Sequence, residues 1–388
     1  MKNNYKGCIM LPKLKNAYER IEELCRIRAT EIYGKELPGI VSRRLDWELD
    51  GIKKNNFASR YLIAMKLIEA MSKKGCMTGM RGNIGASFVA FLLNITQCNP
   101  LAPHYVCPEC HHSEFYTDEM CGIDMEDKVC PACGAKLGKD GFNIPAETLF
   151  GPDGDKISRF VIDFDTEDNA VEEINALRKT YSSADLNNFE ILHHNGLLLP
   201  IERLHELTGV DPKDILFNDK QTMNFIASGK ASCLDQRIKE IIKAVPPAKF
   251  DDLIRIYSLR HSTDAWENNG EELLKRADVE LSDLICFIDD IMIFLTQRGM
   301  DTKTAFNIMK CVWIGKASRG GMPEEFARAI SELPDIPDWY ISSCEKIKYL
   351  WEKAHCVMYV KLMFYYTYYE VHFPDEFNCV NQEQRMRD

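Results

Sequence analysis

The sequence predicts an α+β protein that is predominantly α-helical, and three observations carry that expectation. Apolar residues recur at three- and four-residue spacing through long stretches, the period of an amphipathic helix. Residues 104–141 lack that period and instead carry two cysteine pairs among short polar runs and glycines. Phe160 to Asp165 alternates with the period of two that marks a strand.

The helical period runs from Leu14 to Ala29 and again from Pro38 to Met71, with Gly34 and Pro38 between them. Gly75 to Gly85 is glycine-rich and reads as a turn into the apolar run Phe88 to Ile95, a helix or buried strand that Asn99 and Pro100 end. After Ile201 the pattern is helical almost to the last residue, with breaks at Pro246-Pro247, Asn268 to Gly270, Gly320-Gly321 and Pro334 to Pro337. The aromatic run from Cys344 to Phe373 includes Tyr349, Trp351, Tyr359, Phe364, Tyr365 and Tyr366. It reads as core packing, because base stacking needs interleaved Lys and Arg and Lys361 alone supplies them between Tyr359 and Phe373. Four regions follow: 1–103, 104–141, 142–200 and 201–388.

With 388 residues and 45% apolar content the chain can bury a substantial core. Charged residues interrupt the first thirty positions and no apolar run is long enough to span a bilayer, so the expectation is a cytoplasmic protein with no membrane partner. Fifteen cysteines in a long chain without an export signal should be mostly reduced. Cys25, Cys98, Cys286, Cys311 and Cys356 fall in apolar patterns and read as small buried hydrophobes. A formal charge of -11 argues against general polyanion binding, yet residues 1–80 hold 16 Lys and Arg against 9 Asp and Glu. A polyanion should therefore meet the amino-terminal part first.

Cys107, Cys110, Cys130 and Cys133 form Cys-x2-Cys, 19 residues, Cys-x2-Cys. Two knuckle-like turns each aim a thiolate pair at one tetrahedral ion, and four thiolates leave no open position, so a structural zinc is expected. Pro108, Pro131 and Gly134 suit tight turns, while His111, His112 and Cys121 are spare ligands nearby.

Around this site the string Asn99-Pro-Leu-Ala-Pro-His-Tyr-Val-Cys-Pro-Glu-Cys-His-His-Ser-Glu-Phe115 resembles the zinc segment of the PolC-type bacterial DNA polymerase III α subunit. The likeness continues through Arg81-Gly-Asn-Ile-Gly-Ala-Ser-Phe-Val89, Asp140-Gly-Phe-Asn-Ile-Pro-Ala-Glu-Thr148 and Gly154-Asp-Lys156. It returns at Leu207-Thr-Gly-Val-Asp-Pro212, His261-Ser-Thr-Asp-Ala-Trp266, Asp289-Asp-Ile-Met292 and Lys353-Ala-His355. The resemblance implies a shortened nucleotidyltransferase-like palm with an inserted zinc ribbon and a helical fingers-like half. The family's PHP, exonuclease and carboxy-terminal duplex-binding regions have no counterpart in these residues. Internally, palm sequence is missing near Tyr181, as is a segment that should precede Phe250.

In the family an Asp-x-Asp pair and a third Asp hold two divalent metals for phosphoryl transfer. Aligned without a gap from Gly154-Asp-Lys156, the pair's positions hold Arg159 and Val161. A shift of a few residues brings Asp163 and Asp165 into register, both on one strand face by period two, and Glu190 resembles the third position. The resemblance implies nucleotide contacts from Arg81, Gly82, Gly85, Ser87, His261, Thr263, Asp264, Lys316, Lys353 and His355. Met80, Asn83 and Ala86 replace family serines, and Ile288, Trp313 and Ile314 replace basic residues. The leading expectation is a reduced replication protein that binds DNA, nucleotide and a replisome partner, with synthesis lost or weak. The alternatives are an active short polymerase using Asp163, Asp165 and Glu190 with Mg²⁺, and a zinc-stapled interaction module.

Overall fold

The computed structural model describes residues 16–117, 121–156, 160–165, 168, 171, 172, 175, 189–192 and 196–385, with backbone alone for 189–192. Arg159 and the palm junction near Tyr181 lie outside the described residues.

Three helices open the chain: α1 (Ala17–Tyr33), α2 (Gly39–Lys54) and α3 (Ala58–Lys73). α1 buries Ile21, Cys25, Ala29 and Tyr33, a strict four-residue stripe. The second periodic stretch is two helices because Asn56 adopts φ 58°, a left-handed turn that Asn tolerates. After Gly75 comes β1 (Thr78–Arg81), then the tight turn Gly82–Ala86 and the short helix α4 (Phe88–Leu92), which settles the run starting at Phe88 as helical.

β2 (His104–Val106), β3 (Ser113–Phe115) and β4 (Gly138–Asp140) make a small antiparallel sheet in the order β3-β2-β4. A second sheet has the order β1-β5-β6, with β5 (Phe160–Phe164) antiparallel to β1 and parallel to β6 (Phe189–Leu192). Phe160, Ile162 and Phe164 point from β5 into the core, with the Phe160 ring edge-on to Tyr61. Val161 and Asp163 lie on the other face, as period two requires.

From Leu198 onward the described chain is helical: α5 (Leu198–Thr208), α6 (Lys220–Ala227), α7 (Gln236–Ala244), α8 (Phe250–His261), α9 (Ile288–Gln297), α10 (Thr302–Trp313), α11 (Lys316–Gly320), α12 (Glu324–Ser331), α13 (Tyr340–Lys346), α14 (Lys353–His372) and α15 (Pro374–Arg385). Each predicted break falls between helices or at a kink. α14 is buried on almost every side, including Phe364, Tyr365, Tyr366 and Tyr369, and packs against the Gly82–Ala86 turn, β1, α5, α6, α8 and α15. A helix apolar all round belongs in an interior, so the aromatic run is the spine joining both halves. One apolar core runs from Ala17 to Val380, across the expected boundaries at 103 and 200. The β2–β4 sheet has its own small cluster, Tyr105, Cys107, Cys130 and Leu137. The five cysteines read as small hydrophobes are all buried. Among the described residues no helix is long and apolar enough to cross a membrane.

Candidate nucleotide cleft and metal centre

The four cysteines of the paired motif converge. Their sulfurs lie within 4.8 Å of one another, with Cys107 to Cys133 at 3.4 Å and Cys110 to Cys130 at 3.5 Å. Both knuckles fold back on themselves: Cys107 N–H donates to His112 O and His111 N–H to Cys107 O, while Cys130 N–H donates to Ala135 O and Gly134 N–H to Cys130 O. Burial opposes ionisation of Cys107, but the Cys110 and Glu109 N–H groups outweigh it and bring the thiol down to about 6. For Cys133 the Ala135 N–H favours the thiolate, yet contact with the other sulfurs prevails and pushes it up to about 12. Four touching sulfurs cannot all ionise without a cation, so this donor set fits a thiophilic metal.

The spare ligands are committed elsewhere. His111 reaches Ile32 O through Nδ1, His112 bonds Glu114, and Cys121 is buried in the main core. The sheet is docked by Tyr33, whose hydroxyl meets buried His104 at 3.1 Å, and by Asn99, which donates to Asp140. Asp124 accepts from Phe250 N–H and Asp251 N–H, so this region caps the first turn of α8.

The second assembly is the turn after β1, pressed against α14. Gly82 has φ 66°, a left-handed conformation that favours glycine, and a Cβ on Gly85 would sit 3.0 Å from the Ala354 Cβ. Gly82 N–H donates to His355 Nδ1 at 2.9 Å, which puts the ring proton on Nε2. His355 is 8% exposed and its Nε2 has no hydrogen-bond partner among the described residues, so it presents a neutral N–H donor. Around it stand Trp351, Tyr359, Tyr257 and His261, with His355 stacked on Tyr359 at 5.1 Å and His261 against Trp351 at 4.7 Å. Arg81 lies over the Tyr359 ring and its Nε donates to Asp163 Oδ2 at 2.6 Å.

The expected nucleotide contacts are thus only partly drawn together. Arg81, Gly82, Gly85, His355 and His261 gather around α14 and its Trp351–Tyr359 aromatic cluster. Thr263 is exposed and its backbone bridges Tyr349, Asp264 pairs with Lys348 at 2.7 Å, and Lys316 is exposed at the start of α11. Ser87 and Lys353 face inward. Ser87 is fully buried, donates to Glu48 and accepts from Ala90 N–H and Tyr61. Lys353 is also fully buried, its ammonium 3.7 Å from Asp251 and its N–H bonded to Asp289.

The expected carboxylates separate as well. Asp163 is 1% exposed and held by Arg81, whereas Asp165 joins Cys76 and Glu202. The register pairs Val161, not an acid, with Glu190 across β5 and β6, and Asp163 with Leu192. A guanidinium on Asp163 competes with Mg²⁺ for that carboxylate. Glu48, Cys76 and Glu202 were absent from the sequence-derived set. Glu48 follows Arg44 by four residues, which on sequence alone looks like an exposed helical ion pair.

Burial, then the cation Arg81, holds His355 down to about 3, and burial with Arg260 holds His261 to about 4. Between those values and the unfolded value near ~6.5 the unfolded chain binds more protons, so stability should fall as pH drops through that window. His355→Gln is expected to flatten the fall relative to wild type in thermal melts from pH 7 to pH 4. Parallel curves would exclude a neutral buried His355.

Comparison with known proteins agrees with this layout. The family described as bacterial DNA polymerase III alpha NTPase domain matches residues 19–194, and the bacterial DNA polymerase III alpha subunit finger domain matches residues 198–333. DNA polymerase III PolC-type of Caldanaerobacter subterraneus is 31% identical over 94% of this chain and 34% of its own length. The protein of the same name from Latilactobacillus sakei is 31% identical over 99% of this chain and 34% of its length, and that from Clostridium perfringens 32% over 94% and 33%. The chain spans about a third of the length of the curated relatives it matches. The first alignment runs over 481 positions, more than the 388 residues present, so that relative carries internal segments without a counterpart here. Two consecutive domain matches in the family's order, and relatives aligned over nearly every residue, place the chain in the PolC-type bacterial DNA polymerase III α-subunit family.

Proposed function

We propose that this chain is a DNA- and nucleotide-binding protein of DNA replication with a structural zinc at Cys107, Cys110, Cys130 and Cys133, and that it supports little or no templated synthesis. The observation that carries the last part is the β5–β6 register. Val161 stands beside Glu190, where the ungapped alignment calls for a metal-binding Asp, and the next acid on that face, Asp163, is buried under Arg81. Zinc in the cysteine site would neutralise the thiolates and staple the ribbon; it has no open position for catalysis. Arg81, the Gly82 turn and the His355 N–H remain as groups suited to phosphate oxygens.

Primer extension over a range of Mg²⁺ and Mn²⁺ concentrations tests the catalytic part. Wild type should extend no more than the Asp163→Ala and Asp165→Ala variants do. Robust extension that either substitution abolishes would instead make the shifted register real and the chain a working polymerase.

DNA binding is expected to be weak and steeply salt-dependent, led by the amino-terminal basic residues. Lys53 and Lys54 are exposed at the end of α2, and Arg60 lies over Phe57 at the start of α3. Charge reversal at Lys53, Lys54, Arg60 and Lys66 together should weaken binding on the order of tenfold or more at low salt, because each phosphate contact releases counterions. Binding measured by fluorescence anisotropy that ignores these reversals would move the DNA surface elsewhere.

A further inference from the structure

Asp165 follows β5; one of its carboxylate oxygens, the Cys76 sulfur and a Glu202 oxygen all lie within 4.8 Å of one another. We propose that Cys76, Asp165 and Glu202 form a second metal site, separate from the four-cysteine centre, that takes a thiophilic divalent cation of the zinc class. This rests on the reading above only in that Asp165 is not a polymerase ligand.

Three separate elements hold the donors. Cys76 sits in the turn between α3 and β1, fixed by its N–H bond to Met71 O at 3.1 Å. Asp165 is 4% exposed at the end of β5, and Glu202 is on α5. Glu202 Oε2 is itself closed off from solvent and has no hydrogen-bond partner among the described residues. Burial first, then the charge of Asp165, pushes Glu202 up to about 7, and burial with the same two acids pushes Cys76 up to about 11.

The donor set selects the ion. A thiolate with two carboxylates suits zinc, with a fourth position left for water, whereas Mg²⁺ prefers oxygen ligands alone. Zinc–ligand bonds of about 2.0–2.3 Å put tetrahedral donor atoms less than about 4 Å apart, a spacing compatible with three atoms that lie within 4.8 Å of one another. Cys76 and Glu202 are only partly buried, so their side chains can adjust around an ion. Such an ion would tie the turn after α3, the end of β5 and α5 together.

The test compares stoichiometries, so it does not depend on how much metal the ribbon holds. The full chain is incubated with Zn²⁺ alone, freed of loose metal by gel filtration and analysed for zinc. Wild type should carry one equivalent more than Cys76→Ser and one more than Glu202→Gln, and millimolar Mg²⁺ should not displace it. Equal stoichiometry in all three proteins overturns the proposal. If a variant misfolds, wild type alone decides the matter by peptide mass spectrometry. Zn²⁺ should slow alkylation of Cys76 at least tenfold, and an unchanged rate would overturn the site. Primer extension is not read, so failure here leaves the functional reading intact and the reverse holds too.

Discussion

Removing the metal from the four-cysteine centre, by a strong chelator or by Cys110→Ser or Cys133→Ser, is expected to unfold residues 104–141 and to weaken the helical half as well. The ribbon's own apolar cluster consists of Tyr105, Cys107, Cys130 and Leu137, so two of its four members are proposed zinc ligands. A core that small cannot offset the entropy of ordering the segment, and metal-binding energy of about 10–16 kcal/mol in comparable zinc modules becomes folding energy. The effect should travel through Asp124, whose carboxylate accepts the first two N–H groups of α8. Losing such a cap costs about 0.5–2 kcal/mol. Limited proteolysis should therefore cut first within 104–141, and hydrogen exchange at Phe250 and Asp251 should rise with it. Normal folding of both serine variants, with no bound zinc in wild type, would remove the claim.

The fold was largely legible because its signals are local. Period four along α1, the breaks at Pro246-Pro247 and Gly320-Gly321, and the cysteine spacing each follow from near neighbours in sequence, and all appear in the structure. The cleft was legible only in part, since the fate of a polar side chain depends on residues far along the chain. Lys353 and Ser87 stand in motifs whose family resemblance implies nucleotide contacts, yet Asp251 and Glu48, separated by 102 and 39 positions, turn them inward. Asp163 and Asp165 share a strand face by period two, but that rule says nothing of Arg81 on the neighbouring strand or Glu202 on a later helix. Long-range pairing of charges leaves no period to read.

Glu48→Ala is expected to destabilise the protein by about 3–5 kcal/mol, the range for breaking a buried ion pair by removing one partner. Glu48 is fully buried and its carboxylate accepts from Arg44, from Ser87 Oγ and from the N–H groups of Phe88 and Val89. It thus occupies the amino end of α4, which a bound anion would otherwise favour. Alanine would leave the Arg44 guanidinium, already tied to Ile144 O and Ala86 O, without its carboxylate, and would strand three further donors. Glu48→Gln keeps the volume and one acceptor oxygen, so its cost should be smaller, about 1–3 kcal/mol. Both values come from urea unfolding with unchanged slope; a loss under about 1 kcal/mol for Glu48→Ala would mean the site behaves as a surface pair. Because Ala86, Ser87 and Phe88 directly follow the Gly82–Gly85 turn, the same substitution should loosen that turn. The Gly82 to His355 hydrogen bond depends on it, so protection of the Gly82 amide in hydrogen exchange should fall together with stability.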